Sequence, residues 1–253
     1  MRIFRIVVCL LILIAICSAE DASITYDRMG SKLYSIGNYT EALNYFNRSL
    51  DQNSSNVDAW VHKGDTLKAL RKLNASVDSY NQALKRDGKK VAAWLGLTDV
   101  YTTRKNYANA SVSSAKATEF DRKNKANWLR EGNLLQMQGL FNDAIPKYDE
   151  ALKLDAKYKD ALYRKALSLM ASNNITDGVA LLDKVLALDP KYKYAYNAKG
   201  QAMEAQGRYD DALAGYNKAI ELDPKWSLAL NNKMHVLLIL KKQSEAMKIF
   251  MKI

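Results

Sequence analysis

The chain has 253 residues, of which 48% are apolar and 26% charged, and its formal net charge is +11. This is the composition of a globular protein and excludes a disordered one. The positive charge is spread along both halves without a basic stripe, so nucleic acid is not an expected partner.

Residues 1–19 have the pattern of a secretory signal peptide. A basic start is followed by the apolar run 6–17 and then by small residues before Glu20. The run is shorter than the ~20 residues that a membrane-spanning helix needs. We therefore expect a secreted or extracytoplasmic protein cleaved after Ala19. An uncleaved N-terminal segment that anchors the protein at a membrane is the alternative.

Cysteines and glycosylation motifs agree with export. Cys9 and Cys17, the two cysteines, both lie in the leader, so the mature chain would have no disulfide and no thiolate metal site. Six asparagines lie in N-x-S/T motifs, which predicts a glycosylated surface, with a merely serine-rich loop composition as the alternative. They are Asn38, Asn47, Asn53, Asn74, Asn109 and Asn174.

From residue 23 onward the sequence repeats with a period of 34 residues. Aspartate, small, glycine and aromatic columns all recur at this spacing. The aspartates are Asp87, Asp121, Asp155, Asp189 and Asp223, and four glycines in one phase are Gly30, Gly64, Gly132 and Gly200. An aspartate that returns once per repeat, after an apolar stretch, is typical of a turn residue.

Residues 125–158 show what one repeat predicts. Apolar residues at helical spacing, Trp128 among them, predict a first amphipathic helix, and Ala144 and Tyr148 belong to a second. The small residues Gly132 and Ala144 allow the two helices to approach closely. We expect the ring of Trp128 to fill the space that remains between them.

The order of bulky residue, glycine, aromatic, alanine, aromatic, alanine and Asp-Pro at this spacing resembles the tetratricopeptide repeat. The resemblance implies an all-α fold, a right-handed superhelical solenoid of antiparallel helix hairpins, over residues 20–253. Six full repeats begin at residues 23, 57, 91, 125, 159 and 193, and a partial seventh begins at 227. Lys105 and Ser114 depart from the pattern, as does Gly178, and we expect looser packing in their repeats.

The sequence offers little chemistry. His62 and His235 are the two histidines, and we interpret both as solvated residues on helix faces. Zinc, P-loop and dinucleotide motifs are absent. We therefore predict no catalytic residue, no metal and no cofactor, and a protein that is not an enzyme. An accessory arm of an enzyme is a minor alternative.

The resemblance also implies that the first helix of each hairpin lines an inner groove in which partner peptides bind. Helical phase turns arginines, amides and tyrosines toward this groove, and such groups suit carboxylates and peptide backbone. The candidates are Arg130, Asn133, Tyr163, Arg164, Tyr194, Asn197, Gln201 and Asn232. We predict a scaffold that binds a protein or peptide there. An ordinary hydrated face is the alternative.

The last repeat is apolar near its end, where Met247, Ile249, Phe250 and Met251 cluster, and no polar capping helix follows. Such an end favours self-association or a partner, and a truncated gene product would give the same pattern. A self-assembling envelope component that forms homo-oligomers through this end is therefore the second functional reading.

Overall fold

The computed structural model describes residues 22–251, and the structural statements below concern these residues. The predicted leader, 1–19, lies outside them. Fourteen helices and no strand occur in this range, which confirms the all-α prediction.

The helices form seven successive pairs, which we call hairpins. From Val57 onward, the first helix of each pair begins 34 residues after the one before. The bounds are α1 22–35, α2 Tyr39–Gln52, α3 Val57–Ala69, α4 Leu73–Arg86, α5 Val91–Thr103, α6 Tyr107–Phe120, α7 Lys125–Met137, α8 Phe141–Leu154, α9 Lys159–Ala171, α10 Ile175–Leu188, α11 Lys193–Ala205, α12 Tyr209–Leu222, α13 Ser227–Ile239 and α14 Gln243–Phe250.

The aspartate column ends the second helices. Asp189, for example, is the C-cap of α10, and its carboxylate accepts the backbone N–H of Lys191 at 3.1 Å. Asp87, Asp155 and Asp223 make the equivalent bond. The column is therefore structural, because each carboxylate closes the turn into the next hairpin.

A residue with left-handed backbone conformation joins the two helices of every hairpin. Gly37, Gly139 and Gly207 occupy this place with φ between 72° and 81°. In the other hairpins Arg71, Lys105, Asn173 and Lys241 adopt φ between 58° and 66°. Lys105 thus keeps the same turn without glycine, at a cost of about 1–2 kcal/mol for its Cβ.

Glycine on the first helix lies directly against an aromatic ring of the second. A Cβ on Gly132 would be 2.5 Å from the ring of Tyr148, and one on Gly200 would be 2.5 Å from that of Tyr216. Both rings are fully buried. The expectation for Trp128 is wrong: it is only half-buried, and Tyr148 fills the space between the helices.

Where the ring is absent, the opposite residue is larger. Thr98 stands in the glycine column and Ser114 in the ring column of the third hairpin, and both are buried. The small Ser114 leaves its hydroxyl without a hydrogen-bond partner. In the fifth hairpin Ala166 holds the glycine position and Leu182 holds the ring position. Both are buried in the same core cluster. In the third and fifth hairpins a residue larger than glycine thus accompanies a ring-column residue that is not aromatic.

The loose packing predicted around Gly178 is wrong. A Cβ there would lie 2.6 Å from Cγ of Met170 and 3.0 Å from the carbonyl oxygen of Ala166. Gly178 is buried in α10, where α9 comes so close that no side chain fits. The glycine marks a tight contact between these helices.

The hairpins belong to two compact units, one ending at Arg122 and one beginning at Lys123. Within the second unit, α7 contacts α9, α9 contacts α11 and α11 contacts α13. The second helices of neighbouring hairpins make no such contact among the described residues of either unit. First helices therefore lie closer together than second helices, and they line the concave side of the second unit, which we call its inner face.

We predict that Gly200→Ala destabilises the protein by about 1–3 kcal/mol, because its methyl group meets the ring of Tyr216. Urea unfolding would measure this. Gly88→Ala is the matched control and should be near neutral, since the nearest atom to its Cβ is 3.7 Å away. Adding Tyr216→Leu to Gly200→Ala should cost about 0.5–3 kcal/mol less than the two separate losses combined. Strictly additive losses would contradict the size matching.

Candidate functional site

Arg164 is an exposed cation on the inner face of the second unit. Its guanidinium donates to Oε1 of Gln136 at 3.5 Å, the outer limit of a hydrogen bond, and makes no ion pair with a described carboxylate. In contrast, Lys165 beside it pairs with Asp149 at 2.5 Å. Arg164 therefore offers a planar donor group, suited to a carboxylate or a peptide carbonyl.

Asn133 and Gln136, one turn apart on α7, receive the hydroxyl of a core ring. Tyr148 donates to Oδ1 of Asn133 at 3.1 Å and approaches Oε1 of Gln136 at 3.5 Å. Burial raises the pKa of Tyr148, so the phenol stays protonated and remains a donor. Asn133 and the neighbouring candidate Arg130 are both half-buried. Asn133 thus has a structural task besides any role at the surface.

Asn197 is not a solvent-facing groove residue. Its side chain is only 4% exposed, and Oδ1 accepts a hydrogen bond from Nδ2 of Asn232 at 3.0 Å. The bond joins α11 to α13 across neighbouring hairpins. Helical phase placed Asn197 on the correct side of α11, but the next hairpin covers it. Gln201, one turn further, is exposed.

Glu204 links the core of one hairpin to the surface of the next. Its carboxylate accepts the hydroxyl of Tyr216 at 2.5 Å and pairs with Nδ1 of His235 at 2.7 Å. An open depression of about 460 Å³ lies beside it. The lining residues are Gln201, Glu204, Ala205, Tyr209, Asn232 and Ile239. Sequence reasoning did not single out Glu204.

Four aromatic rings, Tyr163, Tyr192, Tyr194 and Trp226, form what we call the ring cluster. Neighbouring ring centroids are 5.3 Å apart for Tyr163 and Tyr192, 5.3 Å for Tyr192 and Tyr194, and 5.1 Å for Tyr194 and Trp226. Tyr194 is 43% exposed and the other three are half-buried. Burial raises the pKa of Tyr163 to about 12. The structure thus brings together two predicted residues, Tyr163 and Tyr194, with two that were missed.

The missed residues have a periodic signal. Tyr192 and Trp226 directly precede first helices, 34 residues apart, and Tyr158 holds the same place one hairpin earlier. The next residue is a lysine at the start of α9 and again at the start of α11. Following this column in the sequence would have found both rings.

A lysine at the start of α7, α9 and α11 joins its own hairpin to the next. Lys159 pairs with Asp189 at 2.7 Å, and its Nζ lies 4.7 Å from the ring centroid of Tyr192. Lys193 likewise pairs with Asp223 and lies 5.0 Å from the ring of Trp226. Lys125, with Asp155 and Tyr158, repeats the arrangement. Each ring is thereby held in place by a cation.

Family comparison decides what this fold is. The tetratricopeptide repeat model matches residues 28–67, 129–174 and 163–225, which is more than half of the chain, and a second model of the same repeat matches 57–90. The chain belongs to the tetratricopeptide repeat family. No curated protein matches it.

Solved tetratricopeptide repeat structures share this fold. YrrB, described as a TPR protein with an unusual peptide-binding site, is 21% identical, with a TM-score of 0.64 over 74% of this chain and 97% of YrrB. MamA is 24% identical, with a TM-score of 0.60 over 65% of this chain and 96% of MamA. The C-terminal part of a TPR repeat-containing protein from Cytophaga hutchinsonii is 16% identical, with a TM-score of 0.74 over 89% and 93%. At these identities the likeness shows the fold alone.

In the first unit of this tetratricopeptide repeat chain, the first helices carry an acidic cluster around His62. Nδ1 of His62 pairs with Asp27 at 2.9 Å, which joins α3 to the preceding α1. Its ring lies 5.5 Å from that of Phe46, beside a cavity of about 160 Å³. The hydrogen bond to Asp27 is the main cause of a raised His62 pKa, and Asp58 and Asp65 add to it while burial opposes it. His62 therefore links two neighbouring repeats through this ion pair and is not the solvated residue that we expected.

The predicted glycosylation motifs differ in surface access. Asn74 and Asn109 are exposed on second helices, and the exposed Asn38 and Asn174 cap second helices through their side chains. Asn47 and Asn53 are half-buried. The amide oxygen of Asn74 already accepts a hydrogen bond from Arg104, so Asn109 has the more accessible amide of this pair. Whether any of the six is used stays a prediction.

Among residues 22–251, no helix combines the length and apolar character that a membrane crossing requires. No cluster of three or more histidine, cysteine, aspartate or glutamate side chains with metal-binding geometry occurs in this range.

We predict that the contribution of His62 to stability depends on pH. Because its folded-state pKa is raised, the contribution is complete below the ordinary pKa of about 6.5 and is lost as pH rises through the folded-state value. His62→Gln should therefore lower the melting temperature more at pH 5.5 than at pH 9. Asp27→Asn should show the same trend. Equal losses for His62→Gln at both pH values would contradict the role of the ion pair.

Proposed function

We propose that the protein is an extracytoplasmic scaffold that binds a segment of another protein on the inner face of residues 125–235. Tetratricopeptide repeat proteins are in general protein–protein interaction scaffolds, so the chemical class of the partner follows from the family. The extracytoplasmic location and the binding site on the inner face are what we propose for this chain in particular. A peptide-binding site in the related fold of YrrB supports it by analogy.

The exposure of Arg164 on the inner face is the main reason for choosing this site. The inner face is formed by neighbouring first helices, and Arg164 is exposed there with one marginal hydrogen bond and no carboxylate. Gln201, exposed on α11, adds an amide donor and acceptor on the same face. An arginine and an amide on adjacent stretches of one concave face can bind the carboxylate and the backbone of one extended segment.

Export is supported by the sequence. The basic and apolar start before Ala19, the location of both cysteines within it and six glycosylation motifs all fit passage across a membrane. An uncleaved leader would keep the repeats close to that membrane. A protease-protection assay on intact cells, with and without detergent, would test the location.

We also propose that the protein acts without catalysis. Each histidine of the repeats pairs with a carboxylate of the preceding hairpin, His62 with Asp27 and His235 with Glu204. These contacts join successive hairpins, and that role accounts for both histidines without a reaction. Binding alone is thus the simplest function of the inner face.

We predict that Arg164→Ala combined with Gln201→Ala weakens segment binding without changing helicity. Short peptides would be selected from a displayed random library on the wild-type protein, and the affinity of the selected peptides would then be measured by calorimetry. Loss of one charge-assisted and one neutral hydrogen bond should weaken binding at least about tenfold.

The matched control replaces a cation and an amide on second helices, Lys184→Ala with Asn217→Ala, both of which are exposed. This control should bind within about twofold of wild type, since second helices lie outside the inner face. Unchanged binding by the inner-face variant, or equal loss in the control, would overturn the proposed site.

A second candidate function is self-assembly through the last hairpin. Leu238, Ile239, Met247, Phe250 and Met251 are all exposed there, with Phe250 at 65% and Met251 at 72%. A patch of this kind can be covered by a second copy of the chain. We predict that static light scattering then gives a mass that rises with concentration and that Phe250→Asp removes the rise. A constant monomer mass would eliminate this candidate.

A further inference from the structure

We propose that a depression in the first unit binds a sugar, namely a pyranose with equatorial hydroxyls such as the units of a β-linked glucan. The depression lies where α4 meets the start of α5 and has a volume of about 600 Å³. Ligand sites commonly measure about 300–1,000 Å³. The inference goes beyond the proposed binding of a protein segment, which concerns first helices of the other unit.

Trp94 supplies a fixed apolar surface in this depression. Its indole N–H donates to the carbonyl oxygen of Gly88 at 2.9 Å, and this bond sets the orientation of the ring. The ring is half-buried, with its accessible part lining the depression. Gly88 lines it too and has no side chain that could cover the ring. A ligand therefore meets an indole that is already held in place.

The indole of Trp94 is uncovered, in contrast to those of the other tryptophans. Each of the other three has at least one cation over its ring. The pairs are Trp60 with Lys63 and Arg86, Trp128 with Lys147, and Trp226 with Lys193. Within the described part of the chain, no cation and no aromatic ring lies against Trp94.

The sequence explains this difference. The cations over Trp60 are Lys63 and Arg86, and the residues one period later are Leu97 and Phe120. The repeat thus supplies no equivalent cation to the next tryptophan, and its π surface remains free for a ligand.

Polar groups without partners form a row beside the ring. Asp78, Asn81 and Lys85 lie on one face of α4, three and four residues apart. All three are exposed, and none makes a hydrogen bond or an ion pair with a described residue. Gln82, between them, accepts from Arg86 through Oε1 and keeps its amide N–H groups available. The row therefore offers a carboxylate acceptor, an ammonium donor and amides of both kinds.

Charge balance favours a neutral ligand rich in hydroxyls. Asp78 and Lys85 carry opposite charges, so a ligand with a single charge would meet a like charge as well as an opposite one. A hydroxyl both donates and accepts, and several hydroxyls can use every group of the row. A nucleobase also stacks on indole, but its phosphate would be repelled by Asp78.

The shape of a pyranose relates the ring to the row. In glucose and its relatives the equatorial hydroxyls point outward from the ring edge, and the axial C–H groups point from both faces. The negative π surface of Trp94 attracts polarised C–H groups on such a face. With one face on the indole, the hydroxyls at the edge can reach Asp78 and Asn81, which line the same depression.

Cellohexaose and N-acetylchitohexaose are the probes, titrated into the full chain and followed by calorimetry and tryptophan emission. We expect saturable binding of at least one. Asp78→Ala should weaken it at least about tenfold through loss of charge-assisted hydrogen bonds. Trp94→Phe should weaken it about threefold, because its smaller ring face makes fewer contacts. Circular dichroism would verify folding, and Asp78 in particular has no bond within the described protein to lose.

Two matched controls should bind the sugar within about twofold of wild type. Trp60→Phe changes a tryptophan whose ring is already covered by cations. Asp210→Ala removes an exposed acid from α12, in the other unit.

Three outcomes would overturn the inference. These are absence of saturable binding of both sugars, binding that Asp78→Ala and Trp94→Phe leave unchanged, and an equal loss with Trp60→Phe. Trp94-dependent binding of oligoadenylate in place of both sugars would replace it with a nucleobase site. The inner-face variant of Arg164 and Gln201 should bind the sugar like wild type, so failure of either proposal can be told from failure of the other.

Discussion

The close approach of a helix backbone to an aromatic ring is the constraint on which the structure depends. A Cβ on Gly64 would lie 2.6 Å from the ring of Tyr80, and one on Gly96, in the next hairpin, would lie 2.3 Å from the same ring. One ring therefore sets the distance both within a hairpin and between hairpins. A hairpin alone leaves one side of this ring exposed, so its stability comes from its neighbours.

Curvature and binding follow from the same packing. First helices contact one another along the second unit, whereas its second helices, in the part of the chain that the structure describes, contact first helices and not one another. Side chains on the inner face are thereby drawn together from successive hairpins. There they either satisfy each other, as Asn197 and Asn232 do, or remain available, as Arg164 does. The difference between these two outcomes separates structural groups from groups that can meet a partner.

Periodicity predicted the fold because each repeat supplies the same column residues, and the family match and the helices confirm it. Side-chain access was less predictable. Helical phase predicts the direction in which the Asn197 side chain points. It does not predict how closely the neighbouring α13 packs, and α13 buries this side chain. Likewise, the sequence around Gly178 does not show that the Met170 side chain packs closely against this glycine. The ring cluster was only half found, since two of its rings precede helices and were not counted as inner-face positions.

The joint made by Lys159 has a consequence for how this chain can change in length. Its aspartate partner lies 30 residues ahead, and the ring it covers lies at the entrance to the following hairpin. Both partners fall within one 34-residue period, so losing or duplicating a whole hairpin would leave each remaining lysine with an equivalent acid and ring. An insertion of any other length between Lys159 and Tyr192 would change the number of residues between these partners. Copy number is thus free to vary in evolution, while the register of the joint is fixed.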